Sequence, residues 1–159
     1  MDNIKIRKTK INDAGNISSL VINTIKKINS KHSNSNQISV WIKRNNIINL
    51  EKKLSDKERE NFVSILNDKT GKIVGYATMS KNKILNLYVD ASLTGKGIGK
   101  TLLNHMEKNA EKKGYKTTIL DSTLAAFNFY KKNGYNEVKN IYKEVDGVEF
   151  KSVRMRKNL

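Results

Sequence analysis

Three alternating glycines, Gly95, Gly97 and Gly99, stand between an alternating apolar run (Leu85, Leu87, Val89) and a segment with apolar residues at Ile98, Leu102, Met106 and Ala110. Strand, glycine-rich turn and helix start, in that order, can grip phosphate. Glycine lets the backbone approach closely, successive N–H groups point at the anion, and the positive end of the helix dipole faces it. The pattern predicts a phosphorylated ligand held at Gly95, Lys96, Gly97, Ile98, Gly99 and Lys100. Lys96 and Lys100 either touch its phosphates or are two more solvated lysines. The run from Thr94 to Gly99 is not a P-loop, which needs Gly-Lys-Ser/Thr after four intervening residues. It is not a G-x-G-x-x-G dinucleotide fingerprint either.

The elements that must position this loop follow from periodicity. With no proline in the chain, Gly, Asn and Asp have to punctuate it. Ile4–Lys8 alternates as a first strand, and Asn12 or Asp13 can cap a helix carrying Ile17, Leu20, Val21, Ile25 and Ile28. A polar stretch, Lys31–Asn36, leads to a second helical segment around Gln37–Arg44, anchored by Val40 and Trp41. Residues 45–60 are highly charged and give no clear element. Phe62–Leu66, Ile73–Ser80 and Ile84–Val89 read as strands joined by turns at Asp68–Gly71 and Lys81-Asn82. After the glycine loop a helix ends at Gly114. Thr117–Asp121 is a strand, Ala125–Asn133 a helix closed by Gly134, and a last hairpin turns at Asp146-Gly147. The order is β-α-α-β-β-β-α-β-α-β-β, which predicts a single mixed α/β domain over residues 1–159.

Composition narrows the classes. The chain has 159 residues, enough for a real core, and is 37% hydrophobic with the apolar residues in periodic positions. There is no cysteine, which excludes disulfides and thiolate metal sites; His32 and His105 are too few and too far apart to argue for a metal, so none is expected. No apolar run reaches signal-peptide or membrane-span length, so the expectation is a soluble, cytoplasmic protein without a membrane partner. The net charge is +16, from 31 basic residues, mostly lysine, spread in ones and twos beside abundant Asn and Ile. Codon bias alone produces that mix, and no basic stripe with interleaved aromatics marks a nucleic-acid surface. The field still steers polyanions inward, a nucleotide-bearing cofactor included.

The segment from Ser122 to Tyr135, STLAAFNFYKKNGY, contains A-x-x-F-Y-x-x-x-G followed by an aromatic residue. Together with the glycine loop it resembles the GNAT superfamily of acyl-CoA-dependent N-acetyltransferases. The likeness is motif-level from about Leu85 to Tyr135 and extends over most of the chain in element order. The run to Tyr130 and the ending Met155-Arg156-Lys157-Asn158-Leu159 look most like the small bacterial, YafP-type members. The resemblance implies an α/β fold with a central, mostly antiparallel, twisted sheet of about seven strands, about four flanking helices and splayed central strands. It implies acetyl-CoA as acyl donor, with the pantetheine arm lying between the strands matching Leu85–Val89 and Thr117–Asp121. Backbone groups of Leu87 and Val89 would pair with that arm, and the N–H groups from Gly95 to Lys100 would hold the pyrophosphate. Tyr88, Thr94, Thr123, Phe127 and Tyr130 fall among the cofactor-binding positions, and Tyr130 matches the tyrosine that protonates the departing thiolate. Thr94 stands where the family usually has Arg or Gln, and Ala91 where relatives often have proline; a backbone cradle needs neither side chain.

The expected reaction is direct transfer of an acetyl group to a primary amine of a small molecule or peptide. An amine with a lysine-like pKa near ~10.4 costs about 4.6 kcal/mol to present uncharged at pH 7. No general base announces itself. Asn86 and Tyr88 either line an acceptor pocket or are structural, and Trp41 and His32 either wall it or belong to the core. Asp121 starts a turn, and Glu51, Glu58 and Glu60 lie in the unassigned segment. The alternatives are a non-catalytic acyl-CoA-binding or regulatory module and, from another class, a basic nucleic-acid-binding domain; nucleic acid is not an expected partner. The resemblance allows a homodimer.

Overall fold

A computed structural model describes residues 4–159. Seven strands form one sheet in the order β1-β2-β3-β4-β5-β7-β6. They are β1 (Ile4–Lys8), β2 (Glu60–Leu66), β3 (Ile73–Ser80), β4 (Lys83–Val89), β5 (Thr117–Ser122), β6 (Asn136–Val145) and β7 (Val148–Asn158). All neighbours are antiparallel except β4 and β5. Five helices accompany them: α1 (Ala14–Lys27), α2 (Ser35–Arg44), α3 (Ile47–Ser55), α4 (Ile98–Lys112) and α5 (Phe127–Lys132). This is the expected mostly antiparallel α/β architecture, with one helix more than the sequence suggests. Among the described residues no helix is long and apolar enough to cross a membrane.

Alternation along the strands divides the core in two. Phe62, Val74, Ala77 and Leu120 pack with α4 and α5 on one face. Val63, Ile73 and Tyr76 pack with α1 and α3 on the other. β4 follows the same rule: Leu87 and Val89 face α4, and Tyr88 faces α1. The sheet is therefore a wall whose two faces carry different helices.

The turns behave as their residues dictate. Asp68 accepts from Thr70 N–H at 2.9 Å, and the last hairpin turns through Asp146 and Gly147, both at positive φ. α4 ends in a Schellman motif: Gly114 N–H donates to Glu111 C=O at 2.8 Å and Tyr115 N–H to Ala110 C=O at 3.1 Å. Two segments differ from expectation. Asp13 occupies the N-cap position of α1 but makes no side-chain bond to the helix; its carboxylate takes a bidentate bond from Arg7, at 2.7 and 2.9 Å, and the Lys10 N–H at 2.7 Å. Residues 45–60 contain α3, capped by Asn46, which accepts from Asn49 N–H at 2.8 Å. Its apolar signal was diluted, because Ile47 and Ile48 are exposed and only Leu50 is buried.

Candidate functional site

β4 and β5 pair only at Lys83↔Ile119 and Ile84↔Leu120, and beyond that point they diverge. The break falls at the sheet's one parallel junction, where each strand is held on its other side by an antiparallel partner. The divergence opens a cavity of about 760 Å³, lined from both faces of the sheet. One half is formed by β4, the glycine loop and the starts of α4 and α5. The other is formed by α1, α2 and the β6–β7 hairpin.

The first half is made largely of backbone. Gly97 is the N-cap of α4 and adopts the left-handed conformation (φ +81°), which a β-carbon disfavours. The helix ladder begins with Thr101 N–H donating to Gly97 C=O at 3.0 Å. The N–H groups of Ile98, Gly99 and Lys100 therefore lack a carbonyl one turn back and are left for a ligand at the positive end of a 15-residue helix. Gly99 answers a different demand: a β-carbon there would lie 3.3 Å from the Phe129 ring and 3.5 Å from Val89 Cγ2. It lets α4 close on α5. Asp90 turns the chain out of β4, accepting from Ser92 N–H at 3.0 Å and Lys72 Nζ at 2.9 Å. The Ser92 hydroxyl and Lys72 outweigh desolvation and hold the Asp90 carboxyl at about 2.

Tyr130 is fixed from three directions. A second Schellman motif closes α5: Gly134 N–H donates to Lys131 C=O at 3.2 Å and Tyr135 N–H to Tyr130 C=O at 3.1 Å. The motif sets the Tyr135 ring 5.7 Å from that of Tyr130, and Phe129 lies edge-on at 5.1 Å. Tyr135 is itself held by a 2.8 Å bond between its hydroxyl and Thr118. The Tyr130 side chain is buried, lines the cavity, and has no hydrogen-bond partner for its hydroxyl among the described residues. Burial, with Tyr88 nearby, pushes its hydroxyl well above the ordinary tyrosine range. Burial alone pushes Tyr88 up to about 12.

The structure brings most of the anticipated residues together. Leu87, Tyr88, Val89, Thr94, Gly95, Gly97, Ile98, Gly99, Lys100, Thr123 and Tyr130 all line the cavity. Lys96 and Phe127 do not: Lys96 is exposed and its N–H donates to Leu93 C=O at 3.4 Å, while Phe127 packs on the core edge under Lys131. Trp41 lines the cavity, and His32 only an adjoining small recess. Glu51, Glu58 and Glu60 lie elsewhere, Glu60 being bonded to Asn109 and Lys113.

Several cavity residues escaped the sequence reading. Thr24 of α1 donates its hydroxyl to Val89 C=O at 2.9 Å, pinning the end of β4. Phe150 of β7 packs against Trp41 with ring centroids 5.2 Å apart. Asp121, read as a turn residue, is the centre of an ion-pair cluster. Lys83 Nζ and Arg154 Nε each donate to it at 2.8 Å, and Lys143 Nζ lies 3.6 Å away. Desolvation raises the Asp121 carboxyl, but Arg154 and Lys83 outweigh it and hold the group far below the usual carboxylate range. A carboxylate so committed is a poor base. These residues converge from elements more than a hundred positions apart, and no local spacing announces them.

The matches to known proteins agree with this geometry. A family described as "Acetyltransferase (GNAT) domain" matches residues 29–159. Across 109 residues the chain is 28% identical to an Escherichia coli K12 enzyme named as the alanine N-acetyltransferase of ribosomal protein bS18, covering 62% of this chain and 74% of that one. It is 26% identical over 158 residues to the uncharacterized E. coli K12 N-acetyltransferase YafP, covering 98% and 97% of the two chains. A GCN5-related N-acetyltransferase structure from Rhodopseudomonas palustris superposes with a TM-score of 0.90 at 22% identity, over 100% of this chain and 98% of that one. The PaiA N-acetyltransferase of Thermoplasma acidophilum, solved with coenzyme A, superposes with a TM-score of 0.78 at 25% identity, over 98% and 99%.

Proposed function

We propose, for a chain that belongs to the GNAT family of acetyltransferases, that acetyl-CoA donates across the β4–β5 gap and that Tyr130 delivers the proton the reaction needs. The protein is an acyl-CoA-dependent N-acetyltransferase acting on an amine. The kinship supports an enzyme over a CoA-binding module without catalysis or a nucleic-acid-binding domain. The observation that carries the finer reading is the coincidence of three features in one cavity: diverging strands, a glycine-capped helix start and a tyrosine hydroxyl with no hydrogen-bond partner among the described residues.

The donor's thioester supplies an acyl carbon with a good leaving group. The acceptor nitrogen forms a bond to that carbon as the carbon–sulfur bond breaks; nitrogen sheds one proton and sulfur takes one up. The free edge of β4 past Ile84 offers peptide groups to the pantetheine amides, as a strand would. N–H groups at the start of α4 fit the pyrophosphate. The Tyr130 hydroxyl, kept protonated by burial at every pH below its ordinary value, is the proton source for sulfur. With amine and thioester held in contact, proximity supplies much of the acceleration. We infer a cytoplasmic setting on the strength of the donor, an intracellular metabolite.

The direct test is a thermal melt with acetyl-CoA beside ATP, NAD and short duplex DNA. A ligand at a hundred times its Kd adds about 2.7 kcal/mol of stability. A shift confined to acetyl-CoA is expected; a shift with DNA alone overturns the reading.

A further inference from the structure

We infer that the acceptor is a small primary amine carrying its own anionic group, a carboxylate or phosphate, seated between Arg44 and Lys143 against the Trp41–Phe150 wall. This rests on the acetyl-transfer reading above and goes on to name the substrate class.

Charge on the acceptor side of the cavity is the first support. Asp121 is the one carboxylate lining the cavity among the described residues. It is already consumed, with Lys83 on one oxygen and Arg154 reaching both. Arg44 from α2, Lys143 from β6 and Lys151 from β7 line the same space. Two of these are under-committed. The Arg44 guanidinium reaches Asp146 only at 3.9 Å, with both side chains about half exposed. Lys143 stands 3.6 Å from Asp121, outside the two shorter bonds that already satisfy it. A polycation such as a polyamine would enter a positive enclosure with no free carboxylate to receive it. An acceptor with an anionic group would complete two loose cations instead.

Proton logic gives the second support. The amine must lose its charge before it attacks, and no uncommitted base lines the cavity among the described residues. Asp121 is held ionised and weakly basic by its partners, and Tyr88 is pushed up to about 12 by burial. A surplus of fixed positive charge performs part of that task by disfavouring the ammonium form. The anionic group of the same substrate keeps the whole molecule bound while its amine is discharged.

Shape is the third. The tilted Trp41–Phe150 pair offers an apolar face beside both cations. The cavity, about 760 Å³, must also hold the pantetheine arm, which leaves room for a small acceptor.

The test uses the full-length protein with matched probes at equal concentration: L-phenylalanine against L-phenylalaninamide, O-phosphoethanolamine against ethanolamine, and spermidine. Acetyl transfer is read by mass, and acetyl-CoA affinity by calorimetry on the same samples. The expected result is kcat/KM at least about tenfold higher for an anionic member than for its neutral partner, the scale of one charge-assisted contact. The pair that shows the preference separates carboxylate from phosphate. In the Arg44→Met, Lys143→Met double variant that ratio should fall towards one through KM, with acetyl-CoA affinity retained. Spermidine or the neutral partners outperforming the anionic amines overturns the inference. So does a double variant that keeps the ratio, or an enzyme that binds acetyl-CoA and acetylates none of the anionic probes. Absence of acetyl-CoA binding overturns the acetyl-transfer reading itself, and this inference with it.

Discussion

The two halves of the cavity are built from different materials. The donor half consists of peptide groups: a strand edge with no partner, a left-handed glycine, and the first turn of α4. The acceptor half consists of side chains from α2, β6 and β7, brought together by a hairpin that packs against a helix about a hundred residues earlier. A backbone site recognises what is constant in a ligand, which in the reading proposed above is the nucleotide-linked arm. A side-chain site can change with each substitution without disturbing the sheet. The division suits an enzyme whose donor is fixed and whose acceptor distinguishes it from its relatives.

The largest effect should come from breaking the donor half. Gly97→Glu forces a β-carbon into a left-handed position and sets a carboxylate where phosphate is expected. Acetyl-CoA affinity should fall by about a thousandfold or more, read by calorimetry, while the melting temperature in the absence of ligand drops only a few degrees. Unchanged affinity would remove the cradle. Tyr130→Phe keeps the ring contacts with Phe129 and Tyr135 and deletes only the hydroxyl. It should lower kcat about a hundredfold, the low end for a lost general acid, and leave acetyl-CoA affinity within about twofold. Because Tyr130 stays protonated, the wild-type rate should rise with pH as the acceptor amine discharges and show no tyrosine limb below about pH 10. A fall in rate between pH 7 and 9 would take Tyr130 out of this role.

The acceptor half should respond more mildly and in a different parameter. Phe150→Ala removes the ring against Trp41, a contact worth about 1 kcal/mol. KM for the acceptor should rise about fivefold to tenfold, with acetyl-CoA affinity unmoved. If acetyl-CoA affinity falls instead, the division of the cavity into two halves is wrong.

The same division explains what could be read from the sequence. The glycine loop, Tyr130 and the order of all seven strands were legible, because each depends on residues within a few positions of one another. Gly134 four places after Tyr130 encodes the Schellman closure that fixes the tyrosine, so local spacing carried the geometry. Phe127 and Lys96 came with the family resemblance as cofactor-binding positions, and the fold sets the Phe127 ring at the core edge and leaves the Lys96 side chain in solvent. Asp121 looked like a turn residue because its partners Lys83 and Arg154 are 38 and 33 positions away. α3 went unread since only Leu50 of its nine residues is buried, while two exposed isoleucines blur the period.

The smallest effect is read in acid. Asp90 supports the donor loop and Asp121 the acceptor side, and both carboxyls lie lower in the folded chain than their ordinary value of 3.8. A depressed folded-state pKa means that the unfolded chain takes up the proton more readily. The stabilisation is therefore complete above about pH 4 and disappears as the pH falls through the folded value. For Asp90 that value is about 2, and Asp121 is likewise held far below the usual carboxylate range by Arg154 and Lys83. The Asp90 partner Lys72 is 58% exposed, and solvent screening limits the contribution to about 1 kcal/mol. Side-chain carboxyl carbon shifts followed by NMR between pH 5 and 2 should show Asp90 titrating well below its ordinary 3.8, near 2. The Asp90→Asn variant should start slightly less stable at pH 7 and lose less stability than the wild type over that interval. Titration of Asp90 near its ordinary 3.8 would mean that the Ser92 and Lys72 bonds do not favour the ionised carboxylate at this turn.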